Sequence, residues 1–328
     1  MSKGTALVTG ATGQDARYLA EQLSDAGYVV VGTSRGPRED PPSCFAEVVA
    51  LDLRGDGAIR SLLERLHPTL VFNMAAYSTG AGMYDDGRSI GEVNGLAVAS
   101  LLEAIRTTSP STRFLQASSS EMFGTARESP QSEETPFMPR SPYGAAKAYA
   151  HSMVRIYRER YGLFACSAIL FNHESPYRGI EFVSRKISRG AATIALGLAK
   201  NLRLGNLQAR RDWGFAGDYA RAMRLMLDPP APVDYVVASG ETHTVEDMCR
   251  IAFETCGLDY REHVELDPAS YRPSEPVQLV GNPVRIERDL GWKREVGFEM
   301  MVAAMVQHDL RLLSPGTDNA NLALSQAS

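Results

Sequence analysis

The sequence predicts an α/β protein in which a doubly wound, mostly parallel sheet is followed by a smaller C-terminal mixed α/β lobe. Short apolar runs of strand length alternate with longer runs that have apolar residues at helical spacing. This alternation is typical of a parallel sheet covered by helices on both faces. It weakens after residue 172. We therefore predict a first domain over residues 1–172, a substrate lobe over 173–313 with some segments returning to the first domain, and a mobile tail over 314–328.

Each predicted strand is a short run rich in apolar or β-branched side chains. The strands, in order, are TALVTG at 5–10, YVVVGT at 28–33, AEVVALDL at 46–53, TLVFNMA at 69–75, RFLQAS at 113–118, FACSAILF at 164–171 and DYVVA at 234–238. Helices are predicted between them at 14–27, 58–66, 90–107 and 142–161, and after the last strand at 245–256. The helix at 90–107 shows the longest apolar stripe, made of Val93, Leu96, Ala97, Leu101, Leu102 and Ile105.

Composition and charge exclude several classes of function. The net charge of −5 over 328 residues does not indicate a nucleic-acid partner, which usually needs a basic face. No apolar run reaches the roughly 20 residues of a membrane span, and the first residues lack the apolar segment of a signal peptide. The four cysteines show no metal-ligand spacing, so we expect no metal and a reduced, cytoplasmic setting.

A glycine-rich turn links the first strand to the first helix. Gly10, Gly13 and Ala16 form a G-x-x-G-x-x-A pattern, in which glycine lets a pyrophosphate approach the backbone at the helix N-terminus. This position predicts a Rossmann-like dinucleotide site, although an ordinary strand-to-helix turn has a similar pattern. The residues predicted to contact the cofactor here are Gly10, Thr12, Gly13, Gln14 and Asp15.

The end of the second strand favours NADP over NAD. Arg35, with Arg38 close by, stands where an NAD enzyme usually has an acidic residue, and an arginine suits a 2′-phosphate. The alternative for such an arginine is a solvated surface side chain. Other predicted cofactor contacts follow the third and fourth strands, and these are Asp52, Leu53, Ala75, Ala76 and Ser78.

A Tyr-x-x-x-Lys pair and a carboxylate are the candidate catalytic groups. Tyr143 and Lys147 share one helix face, and a lysine ammonium favours a phenolate that can act as a base. Ser119 and Glu121 follow the strand at 113–118, where strand alternation would put both on one side. Glu121 indicates a proton transfer beyond simple reduction, although a helix-capping or surface carboxylate is the alternative. Tyr-x-x-x-Lys also arises often by chance.

The glycine turn, the stretch with Ser119 and Glu121, and the Tyr-x-x-x-Lys pair together resemble the extended short-chain dehydrogenases/reductases that act on nucleotide sugars. Longer runs, up to about residue 313, resemble the GDP-mannose 4,6-dehydratase family, and they are LFNHESPYRG at 170–179, FVSRKI at 182–187, GNLQARRDWG at 205–214 and RPSE at 272–275. The resemblance implies a lyase. Tyr143 would take the C4 hydroxyl proton during C4 oxidation by NADP⁺, and Ser119 would polarise the C4 oxygen. Glu121 would then take the C5 proton, the C6 hydroxyl would leave as water, and a hydride would return to C6.

The resemblance also implies binding residues and partners. His173, Arg178 and Lys147 would contact the cofactor. The GDP-sugar would be held by Ser78, Ser119, Glu121, Tyr143, Asn172, Val183, Lys186, Leu204, Asn206, Arg211, Arg272 and Glu275. Two alternatives remain, in which Arg211 and Asp212 form an internal ion pair and His173 is a satisfied buried histidine. The family also implies a homodimer or tetramer.

Three departures from the family leave alternatives open. Ala16 replaces a glycine, residues 36–42 lack the segment that helps relatives form tetramers, and residues 77–84 differ near the sugar. The substrate could therefore be GDP-mannose or a GDP-heptose. The competing functions are a nucleotide-sugar 4-reductase or epimerase and, outside enzymes, a non-catalytic NADP-binding module.

Overall fold

The computed structural model describes residues 2–37, 42–78, 84, 86–268 and 278–314. Its strands, in chain order, are β1 (Thr5–Thr9), β2 (Val29–Ser34), β3 (Glu47–Ala50), β4 (Leu70–Asn73), β5 (Arg113–Ser119), β6 (Ala165–Leu170), β7 (Asn172–Glu174), β8 (Leu202–Leu204), β9 (Arg210–Arg211), β10 (Trp213–Phe215), β11 (Tyr235–Val237), β12 (His243–Thr244) and β13 (Val264–Leu266). Its α-helices are α1 (Gln14–Asp25), α2 (Asp56–Leu66), α3 (Gly87–Gly91), α4 (Ala97–Thr108), α5 (Pro142–Tyr161), α6 (Val183–Ala195), α7 (Ala216–Leu225), α8 (Val245–Thr255), α9 (Val284–Leu290) and α10 (Phe298–Leu313).

Seven of the strands form one parallel sheet in the order β11-β6-β5-β4-β1-β2-β3. Chain order reverses between β1 and β4, where Ala6 pairs with both Val30 and Leu70. Connections leave in opposite directions on the two sides of this point, so a crevice opens outside the carboxyl ends of β1 and β4. The predicted doubly wound parallel sheet is confirmed.

Helices cover both faces of the sheet because its strands are apolar on both sides. On one face α1 and α7 contribute Leu19, Leu23 and Met223 to a core that includes Phe72 of β4. The opposite core is formed with α2, α4 and α5, and it contains Leu63, Leu102, Phe114 and Val154. The late segments α7 and β11 thus pack with the first half of the chain. The domain boundaries themselves stay predictions.

A separate core organises most of the C-terminal part. Ile187 of α6, Phe253 of α8 and Met305 of α10 pack together with Trp213. Three two-stranded sheets flank it, with β7–β10 and β8–β13 parallel and β9–β12 antiparallel. The predicted mixed α/β character of this lobe is confirmed.

The helical stripe predicted over residues 90–107 is wrong at Leu96. The chain forms a π-helical turn at Glu92–Leu96 before α4 begins. This wider turn shifts the side chains that follow, so Leu96 is 56% exposed while Asn94 is buried. The strand predicted at 46–53 is also shorter than expected, and Asp52 and Leu53 follow it as a turn.

The described part of the chain lacks membrane-spanning helices and clusters of metal-ligating side chains. No helix there is both long and apolar enough to cross a membrane. No group of three or more histidine, cysteine, aspartate or glutamate side chains there could hold a metal ion. Arg38, Arg272, Glu275 and the tail from residue 315 lie outside the described residues.

Candidate active site

The glycine turn lies at the point where strand order reverses. Gly10 has φ of 74°, and a Cβ at this position would lie 3.0 Å from the backbone nitrogen and Cα of Ala75. Only glycine combines this conformation with so close an approach. Gly13 caps α1, while Thr12 beside it is exposed. The turn therefore presents open backbone and a helix N-terminus to the crevice, which suits a pyrophosphate.

Side chains that follow the turn tie it to β7. The Gln14 amide donates to the His173 carbonyl at 2.8 Å and accepts from the Ser175 hydroxyl at 2.8 Å. Asp15 Oδ1 lies 3.0 Å from His173 Nε2, and His173 Nδ1 lies 2.7 Å from the Phe171 carbonyl. Burial opposes a charge on His173, but Asp15 outweighs it and raises the pKa of His173. Both ring nitrogens thus have partners, and His173 also lies beside the turn, so its contact with a cofactor stays a prediction.

Arg35 projects from the end of β2 next to the loop that follows β4. Its Nη1 donates to the Tyr77 hydroxyl at 3.2 Å. Asn94 holds Tyr77 in place, since its side chain accepts from the Tyr77 N–H at 2.8 Å and donates to the Tyr77 carbonyl at 3.0 Å. The Arg54 guanidinium binds both carboxylate oxygens of Asp52 and lowers the pKa of Asp52 to about 2. Two arginines therefore stand beside the predicted adenosine end of the crevice.

A buried hydroxyl fixes the loop after β4. Thr9 Oγ1 accepts from the backbone N–H groups of Met74 and Ala75 at 3.1 and 3.0 Å and donates to Asn73 at 2.6 Å. Ala75 and Ala76 are half-buried, and Ala75 lies next to Gly10. Ser78 is exposed, and Leu53 is buried. Their contact with a cofactor stays a prediction.

Ser119, Glu121 and Tyr143 come together where β5 ends. The Ser119 hydroxyl accepts the Glu121 N–H at 3.2 Å and forms a hydrogen bond with the Tyr143 side chain. The chain turns into a 3₁₀-helix at Ser120–Met122 directly after Ser119. The alternation argument for Glu121 is therefore wrong, because no strand continues past Ser119. A capped turn brings the two residues together instead.

Helix α5 brings Tyr143 and Lys147 to the same place. Ser141 caps the helix by accepting the Gly144 N–H at 3.0 Å, and Pro142 occupies the first helical position. Lys147 Nζ donates to the Ala117 carbonyl in β5 at 2.8 Å and lies 5.8 Å from the centre of the Tyr143 ring. The lysine is thereby anchored to the strand that carries Ser119.

Burial controls the acidity of this pair. It raises the pKa of Tyr143 to about 12, although the Ser119 hydrogen bond and the Arg178 charge act in the opposite direction. Burial also lowers the pKa of Lys147 to about 8. In this structure the loss of solvation, and not the expected effect of lysine, decides the direction of the Tyr143 pKa shift.

Arg178 belongs to a network beside Tyr143. Its Nε lies 3.2 Å from Glu174 Oε2, and its guanidinium carbon lies 3.5 Å from the centre of the Phe182 ring. Glu174 also accepts the Ser184 hydroxyl at 2.6 Å. This network connects the residues after β7 to the start of α6.

The residues implied to hold the GDP-sugar begin with Asn172, which pairs with Trp213 between β7 and β10. Val183 and Lys186 are exposed on α6, and Leu204 is buried at the end of β8. Ile187, Leu204 and Trp213 share one core, so α6, β8 and β10 are fixed relative to each other.

The carboxylate of Asp212 holds three backbone segments together. Its carboxylate accepts from the backbone N–H groups of Ser239, Gly240 and Gly281. Arg211 donates to the Arg210 carbonyl at 2.7 Å. Asn206, the remaining predicted contact in this region, accepts the Gln208 N–H at 2.9 Å. Binding of substrate by Arg211 and Asn206 stays a prediction.

Comparison with known proteins decides the family. The family model described as GDP-mannose 4,6 dehydratase matches residues 7–305. This chain belongs to the GDP-mannose 4,6-dehydratase family. It is 45% identical to GDP-mannose 4,6 dehydratase 1 of Arabidopsis thaliana, over 94% of this chain and 90% of that protein. It is 39% identical to the Homo sapiens GDP-mannose 4,6 dehydratase, over 95% and 92%.

Solved structures support the fold. RMD from Pseudomonas aeruginosa, solved with NADPH, superposes with a TM-score of 0.81 at 23% identity and covers 94% of this chain and 99% of that one. At this identity the likeness shows a shared fold. The resemblance of the sequence to the GDP-mannose 4,6-dehydratase family is confirmed by the family model and by these two relatives.

The sequence did not predict the roles of Asn94, which holds Tyr77, and Arg54, which pairs with Asp52. Asn94 could have been noticed as a polar residue inside an apolar helical stripe. Arg54 gave no comparable signal, because its pairing with Asp52 across a turn is seen only in the folded chain.

Proposed function

We propose that this protein catalyses NADP-dependent dehydration of GDP-mannose to GDP-4-keto-6-deoxymannose. The observation that carries the proposal is the meeting of Ser119, Glu121 and Tyr143 at the end of β5. A reductase or epimerase needs no carboxylate to take the C5 proton, so Glu121 favours dehydration. Relatives that align with nearly the whole chain carry the name of this activity.

The residues present fit a dinucleotide cofactor. The backbone at Gly10 is open where a Cβ would otherwise stand, and the N-terminus of α1 faces the same crevice. Arg35 would bind the 2′-phosphate, and Lys147 would bind the nicotinamide ribose. When bound, NADP supplies the acceptor and later the donor of the hydride.

Tyr143 and Ser119 act on the C4 hydroxyl in the first step. Tyr143 takes the hydroxyl proton as C4 is oxidised to a ketone. The Ser119 hydroxyl, already hydrogen-bonded to Tyr143, polarises the C4 oxygen. Tyr143 is protonated in the resting protein because burial raises its pKa to about 12. Tyr143 must therefore lose its own proton before it can take the proton of the C4 hydroxyl, and the positive charge of Lys147 would favour this phenolate.

Glu121 carries out the step that separates dehydration from oxidation. The C4 ketone acidifies the C5 proton, which Glu121 accepts. Tyr143 and Glu121 then hold one proton each. One of these two protons leaves with the C6 hydroxyl as water as the C5–C6 double bond forms, and the other returns to C5. The bound cofactor would return its hydride to C6, so no net oxidant is consumed.

One assay separates the candidate functions. The purified protein is incubated with GDP-mannose in the absence of added reductant, and the sugar nucleotide is analysed by mass spectrometry. Loss of one water supports the proposal. A parallel incubation with a GDP-heptose tests the alternative substrate that residues 77–84 leave open. A product formed only with stoichiometric NADPH would indicate a reductase, and unchanged sugar a non-catalytic module.

We further propose that the protein is a cytoplasmic homodimer that pairs through α5. Tyr149 and Ile156 are 41% and 44% exposed on this helix, and Leu96 is exposed beside it. The described cysteines are all free thiols, which agrees with a reducing compartment. Sedimentation of the wild type and of Ile156→Asp tests the pairing, since a monomeric variant is expected.

A further inference from the structure

Gly144 lies in the first turn of α5 directly against the backbone of Glu121. A Cβ at residue 144 would lie 2.5 Å from the Glu121 carbonyl oxygen and 3.2 Å from the carbonyl carbon. It would also lie 3.2 Å from the Cβ of Pro139. The two Glu121 atoms belong to the backbone, so they cannot rotate away as a side chain could. Any residue other than glycine must therefore displace α5 or the turn that carries Glu121.

The turn that carries Glu121 is held on its other sides. Met122 and Phe123 are fully buried, and the Met138 N–H donates to the Met122 carbonyl at 3.0 Å. Helix α5 is fixed by its Ser141 cap and by the bond from Lys147 to Ala117. Glycine is otherwise a poor residue within a helix. Its presence here is explained by the space that the Glu121 backbone occupies.

We propose that Gly144 is a positioning residue for Glu121. By allowing α5 to contact the turn, it sets the distance between the Glu121 carboxylate and the Tyr143 hydroxyl that act on neighbouring sugar carbons. This inference rests on the proposed function, because it concerns the proton transfer at C5. An error of about 1 Å in such a position can reduce the rate on the order of 100-fold.

The test is Gly144→Ala, with Gly57→Ala as a matched control. Gly57 also lies in the first turn of a helix, and a Cβ there meets nothing within 4 Å. The steady-state rate of water loss is measured together with the absorbance of reduced nicotinamide in a single turnover. For Gly144→Ala we expect kcat to fall by about 100-fold, as such a displacement allows, with little change in KM. Reduced nicotinamide should accumulate, because C4 oxidation continues while elimination is slow.

Other outcomes overturn the inference. Unchanged kcat in Gly144→Ala would do so, and so would an equal loss of cofactor reduction and water loss, which would indicate a general structural role. A wild-type protein that releases no water from GDP-mannose would instead contradict the proposed function. Gly57→Ala should behave as wild type in both measurements.

A second variant covers the case in which Gly144→Ala does not fold. Ser141→Ala removes the cap on the Gly144 N–H without adding atoms, and Ser141→Thr restores a capping hydroxyl. We expect Ser141→Ala to slow elimination more than C4 oxidation, with recovery in Ser141→Thr. Equal slowing of both steps, or no slowing, would contradict the role of Gly144.

Discussion

Lys147 donates a hydrogen bond from its ammonium group to the Ala117 carbonyl at 2.8 Å, although its side chain is almost fully buried. Burial lowers the pKa of Lys147 to about 8 from its usual 10.5. The protein therefore folds around a buried cation at neutral pH, and the burial of that charge costs stability.

This burial predicts a pH dependence of stability. Between about pH 8 and 10.5 the lysine is protonated in the unfolded chain but largely neutral in the folded one. The unfolded state then binds more protons, so the contribution of Lys147 to the free energy of unfolding rises with pH by roughly 3 kcal/mol. Lys147→Met lacks this contribution. Urea denaturation across this pH window should show the free energy of unfolding of the wild type rising relative to that of the variant. A difference that stays constant with pH would contradict the lowered pKa of Lys147.

Glu121→Gln should bind NADP normally and nearly abolish dehydration. The amide keeps the size of the side chain but cannot accept the C5 proton. Loss of a general base typically costs about 10²- to 10⁴-fold in rate. Water loss is followed by mass spectrometry and cofactor affinity by fluorescence titration. The exposed Glu64 on α2 provides the control, since Glu64→Gln should retain full activity. Turnover close to wild type in Glu121→Gln would remove Glu121 from the mechanism.

Arg35→Ala should weaken binding of NADP more than binding of NAD. The guanidinium would contact the additional 2′-phosphate of NADP, which NAD lacks. Tyr77→Phe removes the hydroxyl that accepts from Arg35. This variant should also weaken NADP binding more than NAD binding, but by a smaller factor. Calorimetric titration with both dinucleotides measures this selectivity. Equal losses for the two cofactors would mean that Arg35 does not read the 2′-phosphate.

The main sheet could be predicted from sequence because its signals are local. Apolar runs, the glycines at residues 10 and 13, and the capped start of α5 each depend on neighbouring residues. Leu96 could not be placed correctly, because the π-helical turn brings Asn94 against Tyr77, and that pairing joins distant parts of the chain. Periodicity alone carries no information about such a contact.

The candidate site was predicted in composition but not in geometry. The sequence places Ser119 and Glu121 after a strand, yet the turn that joins them depends on the hydroxyl of Ser119. The importance of Gly144 depends on an approach between α5 and that turn, which the residue spacing does not reveal. The pKa values of Tyr143 and Lys147 likewise depend on burial produced by the whole fold.

Breaking the buried ion pair between α6 and α10 should strongly destabilise the protein. Asp309 accepts from Arg185 and, at 2.8 Å, from the Ser188 hydroxyl, and both members of the pair are buried. Asp309→Asn leaves the Arg185 charge without its counterion inside the protein. Removing one partner of such a pair typically costs about 3–5 kcal/mol.

The matched control for Asp309→Asn is Asp259→Asn, because Asp259 pairs with Arg261 at the surface. That exposed pair should contribute little to stability, because solvent screens its charges. Urea denaturation gives the free energy of unfolding of both variants. Both variants should still dehydrate the substrate at low temperature, because neither aspartate lies in the catalytic group. Similar losses in the free energy of unfolding for the two variants would mean that burial does not raise the cost of breaking the Arg185–Asp309 pair.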